Sequence, residues 1–399
     1  MLSRPGPLRA LTAIAVGLAV VGTVSPAAAV PPRWIQDIDD AIGRHDVSVA
    51  IGIDGRWLYR HGARTLRTPA SNEKLLLSMA LLQHTSVSTR IKTEVFASRA
   101  PRSGVLRGNL WLVGHGDPEG GRARIGALAR EVRDAGIRRI RGRVMGATTG
   151  FLRDWWAPGW RDYFPADYIP IPTALTFAGN EDRYGRHISD PERRAARSLT
   201  KRLRSMGVKV AKDAGAGPRP AARFRLLATV RSDPLEILLR RMNRRSRNFY
   251  AEVLGKWLGG RVLGAPGSIA KTGQAIERFG EHHGAAIVAH DGSGLSYRNR
   301  VRPQDVVQFL WWADGQSWLP ALRASLPAGN HGTLEDRLRG VRVRAKTGTL
   351  EEISALSGWV WIDQIGTWGE FSIMSRGMDK SDAVAIEDRI VRIVSNRAS

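Results

Sequence analysis

The chain has 399 residues, of which 43% are hydrophobic, and it contains no cysteine. This length and apolar fraction are typical of a globular protein with two or three domains, or with one large domain that carries an insertion. The absence of cysteine excludes disulfides, thiol nucleophiles and thiolate metal sites.

The N-terminal segment predicts export. Residues 1–29 combine a positive start, Arg4 and Arg9, with an apolar run over residues 11–24 and a run of alanines that ends at Ala29. This pattern predicts a signal peptide cleaved after Ala29, which places the protein outside the cytoplasm, in the cell wall or secreted. An uncleaved membrane anchor is the alternative, although the run is short for a bilayer span of about 20 residues.

The formal net charge of +24 at pH 7 indicates an anionic partner. For an exported protein we expect anionic polymers of the cell wall or a membrane surface, and no nucleic acid. A solvated surface whose arginines bind nothing would produce the same composition.

The first predicted elements form a hairpin and a helix. Residues 47–53 and 57–61 flank the dipeptide Asp54-Gly55, which is typical of a β-hairpin. A break that contains Pro69 then precedes a helix that begins at Ser71. Residues 75–82 are apolar nearly all round, which predicts a helix buried in the centre of the fold.

The middle of the chain differs in character from about residue 92. We predict strands at residues 93–98 and 108–113, a helix at 127–135, a basic solvent-facing helix at 192–205 and a linker at 215–220. These elements predict an inserted module over residues 92–222, which divides one domain into residues 30–91 and residues 223–399.

The C-terminal part returns to longer elements. We predict a helical stretch at residues 234–257, strands at 341–345, 355–362 and 368–374, and an amphipathic helix at 383–394. Because both ends of the chain contribute strands and helices, we predict an α/β domain of the α+β type. In this fold, helices flank an antiparallel sheet and the inserted module interrupts the domain.

Three short motifs follow one another in a meaningful order. They are S-x-x-K at residues 71–74, S-x-N at 246–248 and K-T-G at 346–348. Each is weak alone, because S-x-x-K recurs from Ser198 and Ser268 and K-T-G recurs from Lys271, so the surroundings of each copy must decide between them.

The surroundings of Ser71 favour it as a nucleophile. A serine hydroxyl needs a nearby base, and Lys74 lies on the same face of the predicted helix. Burial and a second cation keep such a lysine neutral enough to accept a proton. Ser198 lies on the predicted solvent-facing helix, where its lysine would stay charged, so we predict Ser71 as the nucleophile and Lys74 as its base.

The surroundings also select the third motif. Lys346 ends a predicted strand. A substrate peptide that lies along the edge of this strand would present its carboxylate to the lysine side chain. Lys271 instead begins a capped helix. Ser246 and Asn248 alone would be read as solvent-facing residues near a helix end, but the order of the three motifs is that of penicillin-recognising enzymes.

On these motifs the sequence resembles the class C low-molecular-mass penicillin-binding proteins, a family of D-alanyl-D-alanine carboxypeptidases and endopeptidases. Residues 114–118, 173–177 and 291–296 agree with the family, as does the long separation of Ser71 and Ser246, where the family carries inserted domains. The resemblance covers nearly all of the chain after residue 29. It implies a transpeptidase-like fold of the penicillin-binding and β-lactamase type.

The resemblance implies an acyl-enzyme on Ser71, with Lys74 as base and Ser246 as the relay of a proton to the leaving amine. The substrate would be a peptidoglycan peptide ending in D-Ala-D-Ala, β-lactam antibiotics would be covalent inhibitors, and no cofactor or metal would take part. The residues implied to bind substrate are Asn248, Lys346, Thr347, Gly348 and Thr349.

The resemblance also implies electrostatic roles for the site. Lys346 would depress the pKa of Lys74, and the backbone N–H groups of Ser71 and Thr349 would form the oxyanion hole. The loop at residues 291–296 is expected to be structural. The sequence departs from the family pattern in two ways. The insert is short for the family, and Arg247 adds positive charge where relatives often have Asp or Asn.

The motifs leave alternatives open. A serine β-lactamase uses the same nucleophile, although no glutamate is identifiable as its deacylation base, and a non-catalytic wall-binding protein would keep the fold. A metal peptidase is not indicated, because no H-E-x-x-H helix occurs and the adjacent His282 and His283 are expected at the surface. Carboxypeptidases and endopeptidases share these motifs.

Overall fold

The computed structural model describes residues 32–220 and 224–396. The predicted signal peptide, residues 1–29, lies outside the described residues. No helix within those two ranges has the length and apolar character needed to traverse a bilayer.

The described chain contains helices and strands in alternating groups. The helices are α1 (Arg33–Ile42), α2 (Glu73–His84), α3 (Arg122–Asp134), α4 (Phe164–Asp167), α5 (Pro191–Ser205), α6 (Leu235–Arg244), α7 (Asn248–Val262), α8 (Ile269–His282), α9 (Pro303–Asp314), α10 (Leu319–Ser325) and α11 (Lys380–Ser395). The strands are β1 (Val47–Ile53), β2 (Arg56–His61), β3 (Lys92–Ala97), β4 (Val105–Leu106), β5 (Leu110–Gly114), β6 (Arg139–Ile140), β7 (Val144–Ala147), β8 (Lys209–Val210), β9 (Gly215–Gly217), β10 (Arg225–Arg231), β11 (Val343–Leu350), β12 (Ile353–Ile362) and β13 (Thr367–Arg376).

The main sheet unites the two ends of the chain. Its strand order is β11-β12-β13-β1-β2, and every neighbouring pair is antiparallel. The predicted hairpin is present as β1 and β2, and β1 pairs with β13 in a register that places Val47 opposite Ser375. This antiparallel sheet between helices confirms the predicted fold class.

The main sheet separates two hydrophobic layers, because side chains alternate between its faces along each strand. Trp359 and Met374 pack on one face with the central helix α2, which is buried on all sides from Glu73 to Leu82. Leu356 and Phe371 pack on the other face with α1 and α11. Each large apolar side chain buried in these layers contributes about 1.5–3 kcal/mol, so the layers hold α2 and β11 firmly in place.

A second sheet has the order β10-β3-β5-β7-β9, and a small parallel sheet has the order β4-β6-β8. Helices α3 and α5 pack against them through buried residues such as Leu128 and Leu199. Residues 215–217, which we predicted to belong to a linker, form β9 and pair in parallel with β7. Strand β10 pairs with β3, although it follows the predicted boundary at residue 222. The division into a module over residues 92–222 stays a prediction.

Two predicted elements have different bounds in ways that affect the motifs. The stretch at residues 234–257 is divided into α6 and α7 by a reversal in which Ser246 takes a positive φ of 51°. Strand β11 continues to Leu350, so Lys346 lies in the middle of the strand and does not end it, contrary to the prediction. The pairing of Lys346 with Ser357 in β12 carries the strand past this point.

Gly294 is required by the close packing of its loop against the turn that carries Ser71. Its φ is +79°, and a Cβ there would lie 1.8 Å from the carbonyl oxygen of Ala70. We expect Gly294→Ala to reduce the free energy of unfolding by about 3 kcal/mol, from backbone strain and displacement of this turn. Gly366 has a similar φ of +62° with nothing within 4 Å, so Gly366→Ala should cost only about 1 kcal/mol. Urea unfolding of both variants measures the difference, and equal losses would contradict this reading of the contact.

Candidate active site

Ser71 lies in the short 3-10 turn Ala70–Asn72, directly before helix α2. Ala70 has a positive φ of 47°, which turns the chain sharply into the helix. The N-terminal end of a helix favours negative charge, because its first N–H groups have no partner within the helix. A tetrahedral oxyanion formed on Ser71 would therefore lie in a favourable field.

Lys74 makes three polar contacts through its Nζ. Its Nζ lies 2.9 Å from Ser71 Oγ, 2.9 Å from Asn248 Oδ1 and 2.5 Å from the carbonyl oxygen of Ser293. The two latter atoms only accept hydrogen bonds. An unprotonated amine donates its two hydrogens to them and turns its lone pair toward the hydroxyl of Ser71.

Burial lowers the pKa of Lys74 to about 8, from 10.5. The negative charges of Asp291, Glu252 and Glu73 oppose this shift. Lys346 is also fully buried, and its pKa falls well below 10.5 because of burial and, next, repulsion from Lys74. Desolvation of the ammonium is thus the main cause of the lowered pKa of Lys74. The positive charge of Lys346, which we predicted to depress this pKa, is not the main cause.

Lys346 lies beside the second serine of the site. Its Nζ donates to Ser246 Oγ at 3.0 Å and to the carbonyl oxygen of Thr347 at 2.8 Å. Thr347 Oγ1 donates to Thr333 Oγ1 at 2.7 Å, which orients the threonine hydroxyl. A Cβ on Gly348 would lie 2.7 Å from the carbonyl oxygen of Pro69, so glycine allows β11 to approach the turn that holds Ser71.

These side chains open into a cleft of about 800 Å³. The residues that line it are Ser71, Tyr163, Phe164, Tyr168, Ser246, Asn248, Leu295, Tyr297, Thr333, Arg337, Thr347, Thr349, Leu350, Glu351, Lys380 and Val384. The structure thus brings the predicted residues Ser71, Lys74, Ser246, Asn248, Lys346, Thr347, Gly348 and Thr349 to one place. Their individual roles stay predictions.

The sequence matches the D-Ala-D-Ala carboxypeptidase 3 (S13) family over residues 36–181 and 163–397. The chain belongs to this family. It is a serine-type hydrolase, and the predicted family resemblance is confirmed.

Relatives of the S13 enzyme align over most of their length. It is 29% identical to the D-alanyl-D-alanine carboxypeptidase of Actinomadura sp. (strain R39), over 84% of this chain and 78% of that protein. It is 30% identical to the carboxypeptidase DacB of Mycolicibacterium smegmatis, over 84% of this chain and 76% of that protein. The crystal structure of penicillin-binding protein 4 from Haemophilus influenzae superposes with a TM-score of 0.79 at 19% identity, covering 90% of this chain and 99% of that one. The latter similarity shows the fold.

The loop at residues 291–296, which we predicted to be structural, also contacts the active site. Its Ser293 carbonyl is an acceptor for Lys74, as described above. Asp291 holds the loop by accepting from Trp160 Nε1 at 2.7 Å and from the backbone N–H groups of Gly294 and Ser296 at 3.0 and 2.9 Å. The motif was visible in the sequence, but its backbone contact with the lysine was not.

Two buried glutamates stand behind Lys74, and sequence reasoning missed both. Glu252 Oε1 accepts from the N–H groups of Gly292 and Ser293 at 3.0 and 2.8 Å. Burial, followed by the charge of Asp291, raises the pKa of Glu252 to about 8. Glu73 is fully buried, and neither of its carboxyl oxygens has a hydrogen-bond partner among the described residues. Burial raises the pKa of Glu73 well above 4.5.

The repeated motif copies lie outside this cleft. Lys271 is in α8, where its N–H donates to the capping Ser268 Oγ at 3.1 Å and its Nζ donates to loop carbonyls. Ser198 lies in the middle of α5, and its partner Lys201 is exposed. The capped-helix interpretation of Lys271 is therefore correct.

Arg247 lies between two cleft-lining residues, Ser246 and Asn248, and its guanidinium lies over the ring of Tyr250 at 5.1 Å. One prediction about a histidine needs correction. His283 is half-buried, with its ring 4.2 Å from that of Trp312, so it is not a surface residue as expected. Within residues 32–220 and 224–396, no group of three or more His, Asp or Glu side chains is arranged to hold a metal.

The protonation of Lys74 predicts the pH dependence of acylation. If Lys74 is the base, only its neutral amine can accept the proton of Ser71, so the rate of labelling by a fluorescent penicillin should rise with pH. It should level off above about pH 8, the pKa of Lys74, and fall about tenfold per pH unit well below it. Stopped-flow labelling between pH 5.5 and 9.5 measures this profile, and a flat profile would exclude Lys74 as the base.

Glu73 predicts a pH dependence of stability. Its folded pKa lies above the ordinary 4.5, so its contribution to stability is complete below pH 4.5 and is lost as the pH rises through the folded pKa. Glu73→Gln has no proton to lose, and its stability should fall less between pH 5 and pH 8. The difference is about 1.4 kcal/mol per unit of raised pKa. Urea unfolding at both pH values tests this, with exposed Glu335→Gln as control; identical slopes for wild type and Glu73→Gln would refute it.

Proposed function

We propose that this protein is a penicillin-sensitive D-Ala-D-Ala carboxypeptidase that works through an acyl-enzyme on Ser71. The observation that carries the proposal is the arrangement around Lys74, whose Nζ lies 2.9 Å from Ser71 Oγ and also contacts two fixed acceptors. In its unprotonated form the amine can donate to those two acceptors and accept the Ser71 proton with its lone pair. A serine and a base in hydrogen-bond contact are the requirement for nucleophilic acyl transfer.

Acylation begins when Ser71 Oγ attacks the carbonyl carbon of the penultimate D-Ala and its proton passes to Lys74. The oxyanion accepts from the backbone N–H groups of Ser71 and Thr349, and such donors are worth about 3–4 kcal/mol each in the transition state. The C–N bond then breaks, and the proton taken up by Lys74 passes through the Ser246 hydroxyl to the leaving amine of the terminal D-Ala. Water next hydrolyses the ester, which releases the shortened peptide and restores the Ser71 hydroxyl.

The amine of Lys346 and the hydroxyls of Thr347 and Thr349, all on β11, suit the C-terminal carboxylate of the peptide because each can donate a hydrogen bond to it. Thr347 and Thr349 line the cleft, and Lys346 lies directly behind them in the same strand. Asn248 is in position to bind the peptide amide while it accepts from Lys74. A peptide bound along β11 would thus place its terminal carboxylate near these groups and its scissile carbonyl near Ser71.

β-Lactams fit the same mechanism, because their cyclic amide takes the place of the scissile bond. A structure of the Haemophilus influenzae protein in complex with a β-lactam supports this assignment for the fold. Glu351 is the only carboxylate among the cleft-lining residues, and its side chain is 73% exposed beside Arg161. No buried carboxylate in the described cleft is placed to activate water, which favours a persistent adduct over β-lactamase turnover.

We also propose a location for the protein outside the cytoplasm. Residues 1–29 would be removed as a signal peptide, and the enzyme would act outside the cytoplasm on the cell wall. The high positive charge would hold it to anionic wall polymers, while residues 92–222 would form an inserted module.

Substitution of the nucleophile tests the proposal directly. Ser71→Ala should lose labelling by fluorescent penicillin and should lower D-alanine release from a stem pentapeptide by at least about 10³-fold, since the covalent step is removed. Ser198→Ala and Lys271→Ala alter the other motif copies and should behave like wild type. Equal labelling of wild type and Ser71→Ala would end the assignment.

The leaving group separates carboxypeptidase from endopeptidase action. With a monomeric pentapeptide and a cross-linked dimer as substrates, we expect mass spectrometry to detect loss of D-alanine from the monomer. Cleavage of the dimer alone would redefine the enzyme as an endopeptidase. Rapid, sustained hydrolysis of nitrocefin would instead indicate a β-lactamase.

A further inference from the structure

Helix α5 carries a large excess of positive charge. Its sequence contains six basic residues, Arg193, Arg194, Arg197, Lys201, Arg202 and Arg204, and one acidic residue, Glu192. Glu192 is buried and pairs with Arg153, so it leaves the positive charge of the exposed side uncompensated.

The spacing of these cations concentrates their repulsion on one side of the helix. Arg193, Arg197 and Lys201 follow one another at intervals of four residues, all are exposed, and like charges so placed destabilise a helix. Arg193 and Arg194 also occupy the first turn, where the helix dipole disfavours cations. Of the six, only Arg204 has a carboxylate within 4 Å among the described residues, the exposed Asp213 at 3.9 Å.

Like charges also lie close together on the strands beside the C-terminal end of α5. In the parallel pair of β6 and β8, Arg139 stands directly opposite Lys209, and like charges opposite one another weaken a sheet. A cleft of about 820 Å³ at this point is lined by Arg139, Arg141, Arg204 and Lys209 and by no carboxylate. Its remaining lining residues are apolar or glycine.

A second cleft, of about 700 Å³, lies along the N-terminal half of α5. The cations that line it are Arg122, Arg183, Arg186, Arg194, Arg197 and Lys201. Its two carboxylates are Glu181 and Asp182, and Asp182 is already paired with Arg186 at 2.8 Å. Both clefts therefore share walls with α5 and both offer excess positive charge.

We propose that this cationic face, formed by Arg193, Arg197, Lys201 and Arg204 of α5 with Arg139, Arg141 and Lys209, binds a phosphodiester-linked anionic polymer of the cell wall. Guanidinium groups match phosphate oxygens in pairs, and a chain of phosphates would relieve the repulsion along the helix and between the strands. The proposal rests on the proposed function only for its location at the wall, since none of these residues lines the catalytic cleft.

Sedimentation with purified cell walls tests the proposal. The quadruple variant R193Q/R197Q/K201Q/R204Q should bind walls at least tenfold more weakly than wild type, with a shallower dependence on salt. The matched control R44Q/R56Q/R278Q/R389Q removes the same charge from exposed sites elsewhere in the chain and should retain most binding. Both variants should still be labelled by fluorescent penicillin, which shows that the fold and the catalytic site are intact.

The arms of the experiment distinguish the partner. Walls stripped of phosphodiester-linked polymers with hydrofluoric acid should lose most of the wild-type binding. Unchanged binding to stripped walls, equal losses in the two quadruple variants, or no binding by wild type at low salt would each overturn the proposal. Tighter binding to a single-stranded DNA 20-mer than to the walls would also overturn it, because the face would then suit nucleic acid. If the wild type were not labelled by penicillin, the proposed function would be refuted, but the proposal for the cationic face would not.

Discussion

An amine held between two fixed acceptors is the constraint on which the active site depends. Lys74 Nζ faces Asn248 Oδ1 and the Ser293 carbonyl on two sides and Ser71 Oγ on the third. A protonated Lys74 donates to all three atoms, whereas the neutral amine can donate to the first two and turn its lone pair toward the hydroxyl. Burial supplies the matching electrostatics, because it lowers the pKa of Lys74 to about 8. The same packing therefore sets both the geometry of the base and its protonation.

The cost of this arrangement is a cluster of buried ionisable groups. Glu73, Lys74, Glu252 and Lys346 are all fully buried, and an unpaired buried charge costs several kcal/mol. Burial shifts each group toward its neutral form, since the pKa values of both carboxyls are raised and those of both amines are lowered.

The main sheet brings motifs that are distant in the sequence together at one site. Strand β11 carries Lys346 against the turn that holds Ser71, and Gly348 permits that approach. The reversal between α6 and α7 presents Ser246 to Lys346, with a positive φ of 51° at the serine. The cationic face on α5 is a separate feature, because no residue of that face takes part in the catalytic cleft.

The hairpin, the buried helix α2, the antiparallel sheet and the choice among repeated motifs could all be predicted from the amino-acid sequence. These follow from short-range periodicity and capping, as in the Ser268 cap that makes Lys271 a helix residue. Long-range packing, by contrast, brings the Ser293 carbonyl to Lys74, 219 positions away, and buries the Glu73 carboxyl with no hydrogen-bond partner within the described part of the chain. Every residue has a backbone carbonyl, so no sequence pattern marks the one that packing brings to a lysine.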